Sequence, residues 1–264
     1  MSELRPPAVA GQFYPAGRAE LGAEIDRHLQ NAWRPCAPLP SLKALIVPHA
    51  GYVYSGPVAA AAYAQLQGRR SSVERVVLMG PSHRVWCDGL AVSSADLFAT
   101  PLGRIPVDRE ALERALELPQ VALLDEAHDR EHSLEVQLPF LQQVLGSFRL
   151  APFSVGQASA EEVAEVLECL WDGPETVIVI STDLSHYLDY ESARRIDAAT
   201  AQSIEALRPE QLGSDQACGF VPLSGLLLVA RRRGLHIHAL DLRSSGDTAG
   251  PRDQVVGYGA WALA

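Results

Sequence analysis

The chain has 264 residues and a formal net charge of −10, a balance that argues against a nucleic-acid groove or an anionic membrane as its main partner. Apolar residues make up 47% of it, enough for a substantial core, which excludes a disordered chain. No charged, apolar, small-residue leader opens the sequence, and the longest apolar stretch, around 220–230, is about half a bilayer span and contains Pro222, Ser224 and Gly225.

In chain order, residues 18–31 carry apolar positions at Leu21, Ile25 and Leu29, a helical spacing. A proline cluster at 35–40 is the only linker-like tract. A first strand is expected over 42–47, an alanine-rich helix over 56–67 and a second strand over 75–79. The segment 89–107 has the pattern of extra strands, which would make the sheet mixed. Leu134, Leu138, Leu141 and Leu145 predict a helix over 132–145. Strands follow at 148–155 and 176–180, with helices at 160–171, 191–207 and 219–232. A strand at 235–240 and the closing "QVVGYGAWALA" end the chain. The runs at 42–47, 75–79 and 176–180 are nearly continuously apolar, as strands covered on both faces are. The alternation predicts an α/β fold, a central sheet between helices, in one domain spanning 1–264.

Lys43 is the only lysine, and Arg231, Arg232 and Arg233 follow an apolar stretch as a solvated helix C-terminus would. Cys36, Cys87, Cys169 and Cys218 are far apart with no CxxC spacing, so no disulfide framework is expected and a reducing cytoplasm is.

The chemistry gathers where strands end. "VPHAGYVYSG" places His49 just after the first apolar run, "GPSHR" places His83 after the second, and "STDLSHY" places Asp183 and His186 after the run ending at Ile180. Ligands of open α/β sheets bind in the crevice beyond the strand C-termini. A lone turn histidine is ordinarily a hydrogen-bonder, but three at equivalent strand ends point to a site. His28, His128, His236 and His238 lack that setting and are expected to be structural. Cys218, in "DQACGF" before the last long helix, stands where backbone N–H groups favour a thiolate; the alternative is a buried cysteine acting as a small apolar residue. Cys36, Cys87 and Cys169 have only the latter reading. In "REHSLEVQLPF", Glu131 and His132 fall at a helix start and Glu135 one turn on; a pocket role and plain helix-start electrostatics are both open. Phosphate loops, dinucleotide glycine fingerprints, HExxH and GxSxG elbows are absent.

"VAGQFYP", "VPHAGYVYSG", "GPSH", "EHSLEVQLPFLQ", "STDLSH" and the Cys218–Gly219 pair, in that order, resemble the Memo family, called AmmeMemoRadiSam system protein B in bacteria and archaea. The family is similar in fold to class III extradiol dioxygenases. The resemblance implies a three-layer α/β/α sandwich and a non-haem metal site at His49, His83 and Cys218. It implies acid–base roles for Asp183 and His186, and a pocket lined by Tyr54, His132 and Glu135, with Tyr52 and Tyr187 adding aromatic walls. Iron(II) is the expected metal, with copper or zinc as alternatives. A radical-SAM enzyme and an AMMECR-type protein are the partners implied by family association. A carboxylate at Asp183 would raise the pKa of a nearby His186.

One departure matters physically. The dioxygenases hold iron with two histidines and a carboxylate, whereas a thiolate is softer and easily oxidised. The likeness therefore supports a redox-capable metal centre better than ring cleavage. A non-catalytic module that binds a peptide or partner, and an iron- or copper-handling protein, are the competing readings.

Overall fold

The computed structural model describes residues 3–32, 39 and 41–264; most of the proline cluster at 35–40, Cys36 among it, lies outside the described residues. In chain order the strands are β1 (Leu4–Arg5), β2 (Ala44–Val47), β3 (Arg75–Pro81), β4 (Leu90–Val92), β5 (Leu97–Thr100), β6 (Gly103–Pro106), β7 (Val121–Leu123), β8 (Arg149–Val155), β9 (Thr176–Ser181), β10 (His186–Leu188), β11 (Ile237–Ser244) and β12 (Val255–Leu263). The helices are α1 (Arg18–Ala32), α2 (Tyr52–Tyr63), α3 (Arg109–Leu116), α4 (Glu126–Asp129), α5 (His132–Glu135), α6 (Leu138–Leu145), α7 (Ala160–Cys169), α8 (Tyr190–Glu205), α9 (Phe220–Arg233) and α10 (Ser245–Thr248).

Nine strands make a mixed central sheet in the order β10-β12-β2-β9-β3-β8-β4-β7, with β11 on the free side of β12. Strands β2, β9, β3 and β8 run parallel and form its centre. Their side chains are almost all buried, which is why their sequences are unbroken apolar runs rather than alternating ones. The expected extra strands at 89–107 are β4, β5 and β6; β4 joins the main sheet antiparallel to β8, while β5 and β6 form a small second sheet with β1. Pro152, which has no N–H to donate, falls in β8 between its bridge to Val107 and its short pairing with β4, so no ladder bond is lost. Helices α1, α2 and α6 pack as one group and α7 and α9 as another, covering the sheet in the α/β/α arrangement.

Two expected helices differ. The alanine-rich one starts at Tyr52, not near 56, because Tyr52 N–H bonds to the Phe13 carbonyl and Ser55 N–H to Gly51, building a first turn ahead of Pro57. The single helix expected over 132–145 is broken into α5 and α6. Pro139 cannot donate to residue 135 and its ring crowds that carbonyl, so the helix restarts with proline in its first turn. The break frees buried Gln137 to turn its side chain inward, where the site needs it. Helix α9 ends as its sequence indicates: Gly234 takes the left-handed conformation at φ 68°, and Arg232 reaches Glu161 and Glu168 on α7. His236 and His238 are exposed, and among the described residues no helix is long and apolar enough to cross a membrane.

Candidate metal centre

The parallel register sets the site's position. Val47 lies opposite Ser181 and Met79 opposite Ile180, so the turns after β2, β9 and β3 leave the sheet side by side. They bring His49, Asp183 and His83 to one crevice, and His132 arrives from above at the first turn of α5. A ring nitrogen from each of His49, His83 and His132 lies within 4.8 Å of the others. His49 is buried, His132 half-buried and His83 the most exposed. The His83 and His132 rings stack at 4.7 Å, and His49 meets both edge-on at 5.2 and 5.4 Å. Cys218 stands beside this group, its Sγ 3.4 Å from His49 Nε2.

The protonation of His49 follows from its neighbours. Ser181 Oγ has one proton and donates it to the Ser133 carbonyl at 2.6 Å. Gln137 Nε2 donates to the same Oγ at 2.7 Å and to the Pro48 carbonyl at 2.9 Å, and Gln137 Oε1 accepts from Tyr63 Oη. Ser181 Oγ, 2.9 Å from His49 Nδ1, must therefore accept from Nδ1–H, which leaves Nε2 bare and facing Cys218. Burial and the neighbouring imidazoles of His83 and His132 keep the His49 pKa well below its ordinary value, so the ring is neutral. Burial, then the repulsion of Asp183, pushes the Cys218 thiol up to about 12. The helix-start position does not by itself yield a thiolate; the thiol has the bare His49 Nε2 at 3.4 Å and the Asp183 carbonyl at 3.7 Å within its reach.

Cys218 is held by the turn after β9. Asp183 N–H donates to its Sγ at 3.3 Å, and its own N–H donates to the Asp183 carbonyl at 3.3 Å. Gly219 is required for this approach, since a Cβ there would sit 2.7 Å from Thr182 Cβ and 2.8 Å from the Ser181 carbonyl. The Asp183 carboxylate accepts from His49 N–H at 2.7 Å, and burial raises its pKa to about 7. His186 stands on β10 at the exposed rim. Its pKa is lowered, chiefly by desolvation, not raised by Asp183 as the sequence spacing implies.

Glu131 is the site's remaining polar group. It lies buried beneath His83 and His132, taking His83 Nδ1–H at 2.9 Å, with its pKa held down to about 2 by the hydrogen bonds from His83 and the main chain, which outweigh its burial. His132 is kept neutral by burial, with a pKa lowered to about 4.

A cavity of about 400 Å³ opens above these groups, walled by Phe13, Tyr54, His132, Asp183, His186 and Tyr187 among others, with Tyr258 in its lining from β12. Tyr187 is 70% exposed at the mouth and takes φ 58° at the irregularity where β10 meets β12, a conformation that non-glycine residues adopt at a cost. Tyr52 does not reach the cavity; it is buried and its Oη donates to the Val136 carbonyl. Glu135 does not line it either. Its carboxylate accepts from Ala8 N–H at 2.7 Å, Val9 N–H at 3.0 Å and Tyr14 Oη at 2.5 Å, and pairs with the buried Arg5 guanidinium. It thereby straps the N-terminal segment across α5, and Phe13 of that segment packs on His132 at 4.8 Å between centroids.

The donor set fits a metal ion. Ligands about 2.1 Å (nitrogen) and 2.3 Å (sulfur) from a tetrahedral ion stand roughly 3.5 Å apart, close to the 3.4 Å from His49 Nε2 to Cys218 Sγ. The imidazoles of His49 and His132 are neutral, as ligands must be. His132 Nδ1 is buried without a hydrogen-bond partner, an orphaned lone pair or proton in a cluster of donors. Cys87 and Cys169 are free thiols elsewhere, His128 is buried on the Ala91 carbonyl, and His28 is buried against Gly56, all apart from this cluster.

Comparison with known proteins agrees with this architecture. A family described as "Memo-like protein" matches residues 5–262. A "MEMO1 family protein" of Aeropyrum pernix is 38% identical, covering 98% of this chain and 99% of its own. One of Aquifex aeolicus is 35% identical, covering 97% of each. In fold, the chain is similar to an uncharacterized protein of Escherichia coli K12, with a TM-score of 0.54 at 16% identity, covering 82% of this chain and 99% of that one. By whole-length identity and family match, the chain belongs to the Memo family.

Proposed function

We propose that the protein holds one redox-capable metal ion through His49, His83 and Cys218, with His132 as an additional donor, and acts on a small molecule admitted through the cavity. The observation that carries this reading is the cluster of three imidazoles, His49, His83 and His132, with the Cys218 thiol 3.4 Å from His49 and His132 reaching the cavity wall. A mixed imidazole–thiolate set suits iron, copper or zinc, and iron(II) is put first on the likeness to the dioxygenases. When bound, iron would supply electron transfer and Lewis acidity. The chain's own residues do the rest. Cys218 gives up its proton when it takes the ion, which makes binding release a proton. Asp183, with a pKa near 7, can hold or release a proton close to neutrality. His186 at the rim is neutral and free to accept one. Phe13, Tyr54 and Tyr187 favour a flat apolar body over a charged one.

A second reading has its own support. Tyr54, Trp86 and Tyr187 are 39%, 75% and 70% exposed, and such surface aromatics are what a partner-binding protein presents. The deciding experiment is metal analysis of protein purified without oxygen or chelator. The expected result is about one ion per chain, lost in His83→Ala and in Cys218→Ala with the circular dichroism spectrum unchanged, and retained in His186→Ala. Full metal content in both ligand variants overturns the assignment.

A further inference from the structure

We infer that Glu131 is a positioning residue that makes His83 and His132 serve the same ion: one buried carboxylate sets the orientation and tautomer of the His83 ring and holds the main chain of His132 beside it. This rests on the metal reading above. Glu131 has a side chain 2% exposed, and among the described residues no arginine or lysine pairs with it. Its two oxygens divide the work. Oε2 accepts from His83 N–H at 2.7 Å. Oε1 accepts from His83 Nδ1 at 2.9 Å, His132 N–H at 2.9 Å and Ser133 N–H at 2.8 Å. It also lies 3.3 Å from His132 Nδ1.

Capping alone does not explain this arrangement. The cap of α5 uses only Oε1, and any short polar side chain could supply it. The contacts with His83, 48 residues away, need the longer side chain and its second oxygen. An ionised carboxylate is acceptor-only. His83 must therefore carry its proton on Nδ1, leaving Nε2 as the bare nitrogen. A carboxylate behind a ligating imidazole also makes it a better donor, and such partners typically govern 10–100-fold in metal affinity. The charge count agrees: once Cys218 is a thiolate, it and Glu131 together offset a divalent ion. The stacked rings are thereby tied to one group, because the carboxylate that holds His83 by its main chain also holds the first turn of α5.

The test compares wild type with Glu131→Gln, using cobalt(II) as the probe, under anaerobic conditions. Affinity is read by chelator competition, and coordination by the visible ligand-field bands and the thiolate charge-transfer band. The expected result is a folded variant that binds cobalt about 10–100-fold more weakly, with displaced ligand-field bands and the sulfur band retained. Equal affinity with identical bands overturns the role of Glu131 while leaving the metal reading intact. A wild-type chain that takes up no cobalt removes the metal reading itself and this inference with it. Should Glu131→Gln fail to fold, nitrogen-15 NMR of the wild-type histidines decides. His83 protonated on Nδ1 in the metal-free protein supports the inference, and His83 protonated on Nε2 refutes it.

Discussion

Replacing Glu135 by alanine is expected to detach the N-terminal strap and cost about 3–5 kcal/mol. The carboxylate is fully buried, and Arg5, its partner, has a side chain only 3% exposed. Arg5 also donates to the carbonyls of His128 and Glu131, so it is held in place and cannot swing out to water alone. Removing one member of a buried pair leaves an uncompensated charge, which typically costs about 3–5 kcal/mol. Ala8 and Val9 would also lose their acceptor, at about 1–3 kcal/mol for each N–H left unsatisfied. These costs do not add, because the segment has an escape: residues 5–14 can peel away and rehydrate.

The assay is urea unfolding at pH 7 with hydrogen exchange of the strap amides. Glu135→Ala should lose roughly the cost of the broken pair, and Val9 to Tyr14 should lose protection before the β2, β3 and β9 amides do. The double variant Arg5→Met/Glu135→Leu, which removes both charges, should recover at least about 2 kcal/mol of that loss, since apolar replacements of buried pairs are often neutral or better. A loss below about 1 kcal/mol, the scale of an exposed pair, with strap protection unchanged, would refute the reasoning.

Two further outcomes are expected. His128 is buried with a pKa lowered to about 4 from 6.5, chiefly by desolvation; a depressed histidine stabilises the fold above pH 6.5 and loses that contribution as pH falls toward 4. Wild type should therefore lose roughly 3 kcal/mol more than His128→Gln across that window in unfolding titrations, from about 1.4 kcal/mol per pKa unit, and parallel pH curves count against it. Lys43 places its ammonium on the carbonyls of Trp171, Gly173 and Thr176; thermal melts should show Lys43→Met destabilised by about 1–3 kcal/mol and Lys43→Arg no better, because a planar guanidinium cannot serve three acceptors that converge on one point.

How much of this could be read from the sequence differs by residue. His49, His83 and Asp183 were legible because each follows an apolar run cut off by proline, glycine or serine, and parallel strands bring such ends together without further information. Cys218 was not legible on those grounds. It lies 35 residues beyond Asp183, and its seat depends on Gly219 passing against Thr182, a contact that only the fold reveals. The identity of the cysteine came from family likeness instead. Pro139 was visible in the sequence and does break the predicted helix, but the leucine spacing across it was the louder signal. Glu135 was placed beside His132 on a helix face that in fact lasts one turn, and the strap occupies the position where a pocket wall was expected. That strap is anchored by Arg5, 130 residues away, beyond the reach of any local pattern.

The distribution of buried carboxylates gives α5 its significance. This helix is one turn long, with too few hydrogen bonds to hold a ligating histidine by itself. Glu131 precedes it and ties it to the turn after β3; Glu135 ends it and ties it to the N-terminal strap. Ser133, between them, accepts from Ser181 through its carbonyl and donates to the Pro81 carbonyl through its hydroxyl, linking the same turn to the ends of β9 and β3. His132 is thus fixed from both flanks by anions that do not themselves touch the cavity. The geometry of the imidazole cluster depends on these ties as much as on the sheet. A change at the strap, more than 120 residues from Glu135 in sequence yet bonded to it, should therefore reach the imidazole cluster before it reaches the core.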